Sequence, residues 1–226
     1  MEELWIHDQL RNLGRKIVTD GSFKNIVNCT RLWMPEDALE VLQQNETRNS
    51  LKVLDLRCCD GLIKTPDFSK YSSLERLILE ECTNLVEIDP SIDINTVKLR
   101  QRIGRPMKLV FLNFGSCEGL EKLLDSLGNR RSLAELDLSE TRITELPDTI
   151  RNLREIRMIG IKIKELPSSS GMLKRLEVLD ARWCKSLAEI PSKIEGHTYL
   201  RVLNLKNTHV CQFPPELPTS LTVIVH

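Results

Sequence analysis

The sequence is poor in aromatic residues, at 4% of 226 positions, and has no excess charge, with 32 Lys+Arg against 32 Asp+Glu. Balanced charge removes the electrostatic basis for a general affinity to nucleic acid or to a membrane surface. No run of about 18 apolar residues occurs, so no segment reads as a bilayer-spanning helix. Met1-Glu2-Glu3-Leu4 has neither the basic start nor the apolar stretch of a secretory signal. The seven cysteines form no C-x-x-C pair and no Cys/His set at zinc spacing. A G-x-x-x-x-G-K-[ST] phosphate loop is missing too; Gly104-Arg105-Pro106-Met107-Lys108 does not supply one. The histidines at 7, 197, 209 and 226 are scattered, and none stands in a recognisable nucleophile motif. These absences argue against an enzyme and favour a cytoplasmic or nucleocytoplasmic setting with reduced thiols. Asn28-Cys29-Thr30 and Asn45-Glu46-Thr47 match the glycosylation sequon, which matters only on a secretory route.

What the sequence does have is leucine at fixed spacing. The pattern L-x-x-L-x-L starts at Leu51, Leu74, Leu109, Leu133, Leu153, Leu176 and Leu200, the unit at Leu153 being degenerate. The intervals are 23, 35, 24, 20, 23 and 24 residues, and all but one fall in the range of leucine-rich repeats. In each unit the last two apolar residues lie two apart and so share one face of a short strand. A later apolar-Pro pair, such as Leu146-Pro147, turns the chain, since proline fixes φ and cannot donate to a ladder. No unit can bury its own apolar face, so stability must come from stacking. The fold predicted is α/β: a leucine-rich-repeat solenoid with a curved parallel sheet and an irregular convex side, preceded by a short helical segment. About seven repeats and a partial eighth are expected over 49–226. The strand at the end of that partial unit would form an uncapped edge.

Eight residues after each starting leucine come Cys59, Cys82, Cys117, Thr141, Ile161, Cys184 and Thr208. A small, weakly polar side chain at a buried bend accounts for this recurrence better than redox or metal chemistry. His209, one residue on, is expected to face solvent. The single long interval carries a basic insertion within 93–108, read as a solvated convex loop.

Strand alternation sends the intervening residues outward, onto the concave face. These are Val53, Asp55, Arg57; Arg76, Ile78, Glu80; Phe111, Asn113, Gly115; and Glu135, Asp137, Ser139. They continue with Glu155, Arg157, Ile159; Val178, Asp180, Arg182; and Val202, Asn204, Lys206. The candidate partner-binding residues among them are Arg57, Arg76, Ile78, Glu80, Phe111, Asn113, Glu135, Asp137, Arg157, Asp180, Arg182, Asn204 and Lys206. Mixed charge with a few apolar side chains, Phe111 the largest, suits a protein partner.

Residues 1–48 do not follow the repeat. Asp8 can cap a helix with Leu10, Leu13 and Ile17 on one side. A second helix is expected from Pro35 to about Gln44, with Glu36 and Asp37 favouring its N-terminal dipole. Two short helices are too little for a core of their own.

The stretch from Trp5 to Val18, with Arg31-Leu32-Trp33-Met34-Pro35-Glu36-Asp37, resembles the end of the nucleotide-binding domain of plant disease-resistance receptors. The segment Leu74–Ile88 resembles their repeats, and the nearest class is the TIR-type receptors, built from a TIR domain, an NB-ARC domain and leucine-rich repeats. In that family the histidine of a Met-His-Asp motif senses the phosphates of ADP, so the resemblance casts His7 of Ile6-His7-Asp8 as a cofactor-binding residue. Without a phosphate loop, neither ADP nor ATP is expected to bind this chain alone. The resemblance further implies a pathogen effector, a guarded host protein or a nucleotide-binding domain as partner, with a general intracellular signalling scaffold as the rival reading.

Overall fold

In each L-x-x-L-x-L segment the second and third leucines must leave water on the same side, and an extended backbone lets them do so. The computed structural model describes residues 31–33, 50–92, 107–129, 132–148, 150, 153–167, 175–190, 199–213 and 221–224. In it the repeats become strands of one parallel sheet, with strand order following chain order from β1 to β9. The strands are β1 (Arg31–Trp33), β2 (Val53–Asp55), β3 (Arg76–Ile78), β4 (Phe111–Asn113) and β5 (Glu135–Asp137). They continue as β6 (Glu155–Arg157), β7 (Val178–Asp180), β8 (Val202–Asn204) and β9 (Thr222–Ile224). Each registers on the next without a slip; Leu54, Leu77, Leu112, Leu136, Ile156, Leu179 and Leu203 form a continuous row.

That row and the next apolar row, Leu56, Leu79, Phe114, Leu138, Met158, Ala181 and Leu205, are fully buried. Each large aliphatic side chain withdrawn from water stabilises the array by about 2 kcal/mol. The starting leucines and the bend residues Cys59, Cys82, Cys117, Ile161 and Cys184 close the same core. No α-helix occurs among the described residues. The chain returns through irregular stretches and short 3-10 turns at Phe68–Lys70, Pro90–Ile92 and Asp125–Asn129. Asp67 caps the first of these by accepting from the Ser69 amide at 2.8 Å, and the Phe68 amide donates to Ser91 Oγ of the next repeat at 2.7 Å.

After each third outward residue the backbone enters the left-handed region. This happens at Cys58, Glu81, Ser116, Glu140, Gly160, Trp183 and Asn207, with φ between 56° and 74°. The turn lets the following residue, the bend position, fold back into the core. Only one of the seven is glycine, the residue that takes this conformation without a steric penalty.

The sheet extends past the boundary expected at residue 49, because Arg31, Leu32 and Trp33 pair with Val53, Leu54 and Asp55. The two expected helices, His7 and residues 93–106 of the insertion lie outside the described residues.

Candidate binding face

The open face of the sheet carries three outward rows, two within the strands and the third just past their ends. Asp55 ends β2 and Arg57 follows two residues later in the adjoining turn, on the same side of the sheet. The guanidinium clasps the carboxylate through Nε–Oδ1 at 2.9 Å and Nη2–Oδ2 at 2.8 Å. Asp180 and Arg182 repeat the same geometry, at 2.9 and 2.8 Å. In the degenerate fifth unit Arg157 Nε meets Glu155 Oε1 at 2.7 Å. Three of the four outward arginines are therefore tied to a carboxylate of their own repeat. The Asp55 carboxylate, through this hydrogen bond, holds the Arg57 guanidinium above its ordinary pKa. Partly exposed pairs of this kind, still open to solvent screening, add about 0–1 kcal/mol to stability. Their effect is to orient the fork and reduce its net charge.

The fourth, Arg76, lies over the Phe111 ring, with Cζ 3.7 Å from the centroid. This corrects the reading of Phe111 as an exposed apolar anchor: the ring is half-buried beneath a cation. Asn113 also departs from expectation. It is buried, and its Oδ1 accepts from the Gly115 amide at 2.7 Å, so it supports the turn and is withdrawn from the contact surface. The remaining candidates keep to the open face: Ile78, Glu80, Glu135, Asp137, Asp180 and Asn204 are half-buried, and Lys206 is exposed. His209 is exposed, as the pattern predicts.

Beside these rows the sequence reading missed Trp183. It follows Arg182 at the left-handed turn and leaves 51% of its surface exposed. The signal available was an aromatic residue, scarce in this sequence, just past the third outward residue.

The bend cysteines lie behind the turn and have no access to the face. Cys82 Sγ donates to the Leu56 carbonyl at 3.1 Å, Cys117 to Leu79 at 2.9 Å and Cys184 to Met158 at 2.7 Å, each in the preceding repeat. Burial pushes the Cys117 and Cys184 thiols up to about 11. The hydrogen bond with Cys59, together with burial, also holds the Cys82 thiol above its ordinary range. Protonated, buried thiols bonded to backbone are structural groups. Among the described residues no three His, Cys, Asp or Glu side chains converge on a metal position.

Residues 132–153 match the Leucine Rich Repeat family. The TMV resistance protein N of Nicotiana glutinosa is 28% identical over 184 residues, covering 74% of this chain and 16% of that protein. The disease resistance protein RPP2A of Arabidopsis thaliana is 32% identical over 170 residues, covering 74% of this chain and 12% of that protein. The chain is a relative of plant disease-resistance proteins. The resemblance carried by Leu74–Ile88 thus extends through most of the repeats. This disease-resistance relative spans less than a fifth of the length of either of those two proteins. Its fold is shared with the functional domain of InlJ from Listeria monocytogenes, at a TM-score of 0.56 and 20% identity over 79% of this chain and 35% of that one. That domain is described as including a cysteine ladder.

Proposed function

We propose that this chain provides the recognition face of a plant immune receptor, binding a pathogen effector or a guarded host protein on the open side of its sheet. The observation that carries the reading is an outward face of mixed charge, held rigidly by strands, in a relative of disease-resistance proteins. A rigid polar face with scattered apolar groups suits a protein partner, for which complementarity matters more than depth. The setting this implies is cytoplasmic, with no role for ADP or ATP on the chain by itself.

A photo-crosslinking residue placed at Glu135 or Asn204 on the open face tests the reading, with Glu118 on the exposed bend as comparison. In extract from pathogen-challenged leaf, the open-face positions should capture one protein that Glu118 does not. Equal capture at all three positions would refute it.

Docking on a nucleotide-binding domain is a second use of the repeats, favoured by Ile6-His7-Asp8 standing ahead of them in the sequence. A separately expressed nucleotide-binding domain should be retained by the immobilised chain, and no retention at micromolar concentrations would dismiss this role. Titration calorimetry with ADP and ATP should give no binding heat.

A further inference from the structure

We propose that a depression in the open face, running from the end of β3 to β7, seats a basic segment of the protein partner. This rests on the recognition reading above and names the chemistry of what is recognised. The depression encloses about 430 Å³. It exists because Gly115 and Ser139 put small residues where other repeats carry Arg57, Glu80 or Arg182, and Ser116 stands at the turn where others carry Glu81 or Trp183.

Its lining has five carboxylates, on Glu80, Asp137, Glu140, Glu155 and Asp180, against two cations, Arg157 and Arg182. Both arginines are already held by carboxylates of their own repeats, Glu155 and Asp180. Arg157 also acts electrostatically on Asp137, yet five carboxylates against two cations leave Glu80, Asp137 and Glu140 as the surplus that faces an incoming group. Arg57 Nη1 approaches Glu80 only to 3.8 Å. Asp137 accepts from Ser139 Oγ at 2.6 Å, and Glu140 accepts from Ser116 Oγ at 3.1 Å. Such neutral donors orient a carboxylate without neutralising it.

Charge complementarity therefore selects a cationic occupant. Among the described residues no three acidic, histidine or cysteine groups meet at one metal position. The carboxylates are spread for several cations carried on a chain rather than for one ion. Half-buried Ile159 and Val178 supply apolar surface for the methylene stems of lysine or arginine. Trp183, exposed next to Arg182 in the chain, adds an indole at which a further cation is favoured. The depression also sits towards the middle of the sheet, where interface anchors concentrate.

The test is selection of random displayed peptides on the immobilised full-length chain, followed by titration of the best synthetic peptide. Selected peptides should be rich in Lys and Arg. Affinity should fall about tenfold or more, one strong charge-assisted contact or better, when Asp137→Asn and Glu140→Gln are combined. Asn at 137 keeps an acceptor for Ser139, so the fold is retained. Ser139→Arg, which tethers a cation in the depression, should block binding as well. Glu118→Gln with Glu189→Gln, exposed and outside the depression, should leave affinity unchanged. Non-basic peptides, or basic ones indifferent to the Asp137 and Glu140 changes, would overturn the basic occupant and leave the recognition reading standing. Failure to select any peptide would count against both.

Discussion

The thiol of Cys117 donates to the carbonyl of Leu79 in the preceding repeat at 2.9 Å, whereas the hydroxyl of Thr141, at the same bend, turns to Leu138 of its own repeat at 2.7 Å. One position therefore serves in two ways, linking neighbouring repeats when it is cysteine and closing a single repeat when it is threonine. Replacing Cys117 by alanine removes the link but strands no acceptor, because the Leu79 carbonyl also takes the Cys82 amide at 3.2 Å. The expected loss is about 1 kcal/mol, read from the urea midpoint. An unchanged midpoint would show that the sulfur–carbonyl contacts contribute nothing.

The same thiols should make stability fall at high pH. In the folded chain Cys117 and Cys184 are pushed up by burial to about 11, against an ordinary value of 9.0. Below pH 9 both groups are protonated whether folded or not, and their contribution is fully present. Between pH 9 and 11 the unfolded chain releases these protons and the folded chain keeps them, so unfolding becomes progressively more favourable. Urea unfolding across this window should show the decline, and a Cys117→Ala, Cys184→Ala variant should show a shallower one. At neutral pH, alkylation should label exposed Cys58 and Cys211 and spare these two buried thiols.

Gly160 should resist β-branched replacement. It holds a φ of +74° at the left-handed turn, where every other repeat tolerates a side chain at some cost. A built Cβ meets only Glu140 Cγ, at 3.9 Å, so space is not what limits it. Gly160→Val is expected to lose about 1–2 kcal/mol through backbone conformation alone. Gly160→Asn, matching the residue found at 207, should lose distinctly less. Equal losses for the two would remove the conformational explanation.

Gly119 presents the opposite case. Its amide donates to the Thr83 carbonyl at 2.9 Å, drawing two repeats together backbone to backbone. A Cβ there would lie 2.8 Å from the Leu85 carbonyl oxygen and 3.0 Å from that of Thr83. Neither atom is on a flexible side chain, so Gly119→Ala should force the repeats apart and cost about 1–3 kcal/mol. Thermal melting that matches the parent chain would contradict the close approach.

The apolar skeleton was legible from residue spacing because a solenoid repeats one local solution. Leu54 and Leu56 face the core for the same reason that Leu203 and Leu205 do, so the pattern recurs often enough to be read. The bend cysteines were legible for the same reason. Strand β1 was not, since Cys29-x-x-Leu32-x-Met34 keeps leucine at only one of its three apolar positions, and it entered the sheet through pairing with β2.

The binding face was legible only as a set of outward directions. Alternation placed Arg57, Phe111, Asn113 and Arg182 on one side of the sheet, but not what each would meet there. Arg57 and Arg182 found carboxylates two residues earlier, Phe111 found Arg76 one repeat away, and Asn113 folded back onto its own turn. Such choices depend on distances between side chains and across repeats, which no one-dimensional period contains. The depression is a product of the same kind. Gly115 and Ser139 are unremarkable apart, and become its floor only when parallel pairing sets their strands side by side. Periodicity determined the solenoid because burial of a repeated apolar face has one economical answer. Tertiary contact decided the chemistry of the face, because polar groups choose partners only after the strands have brought them together.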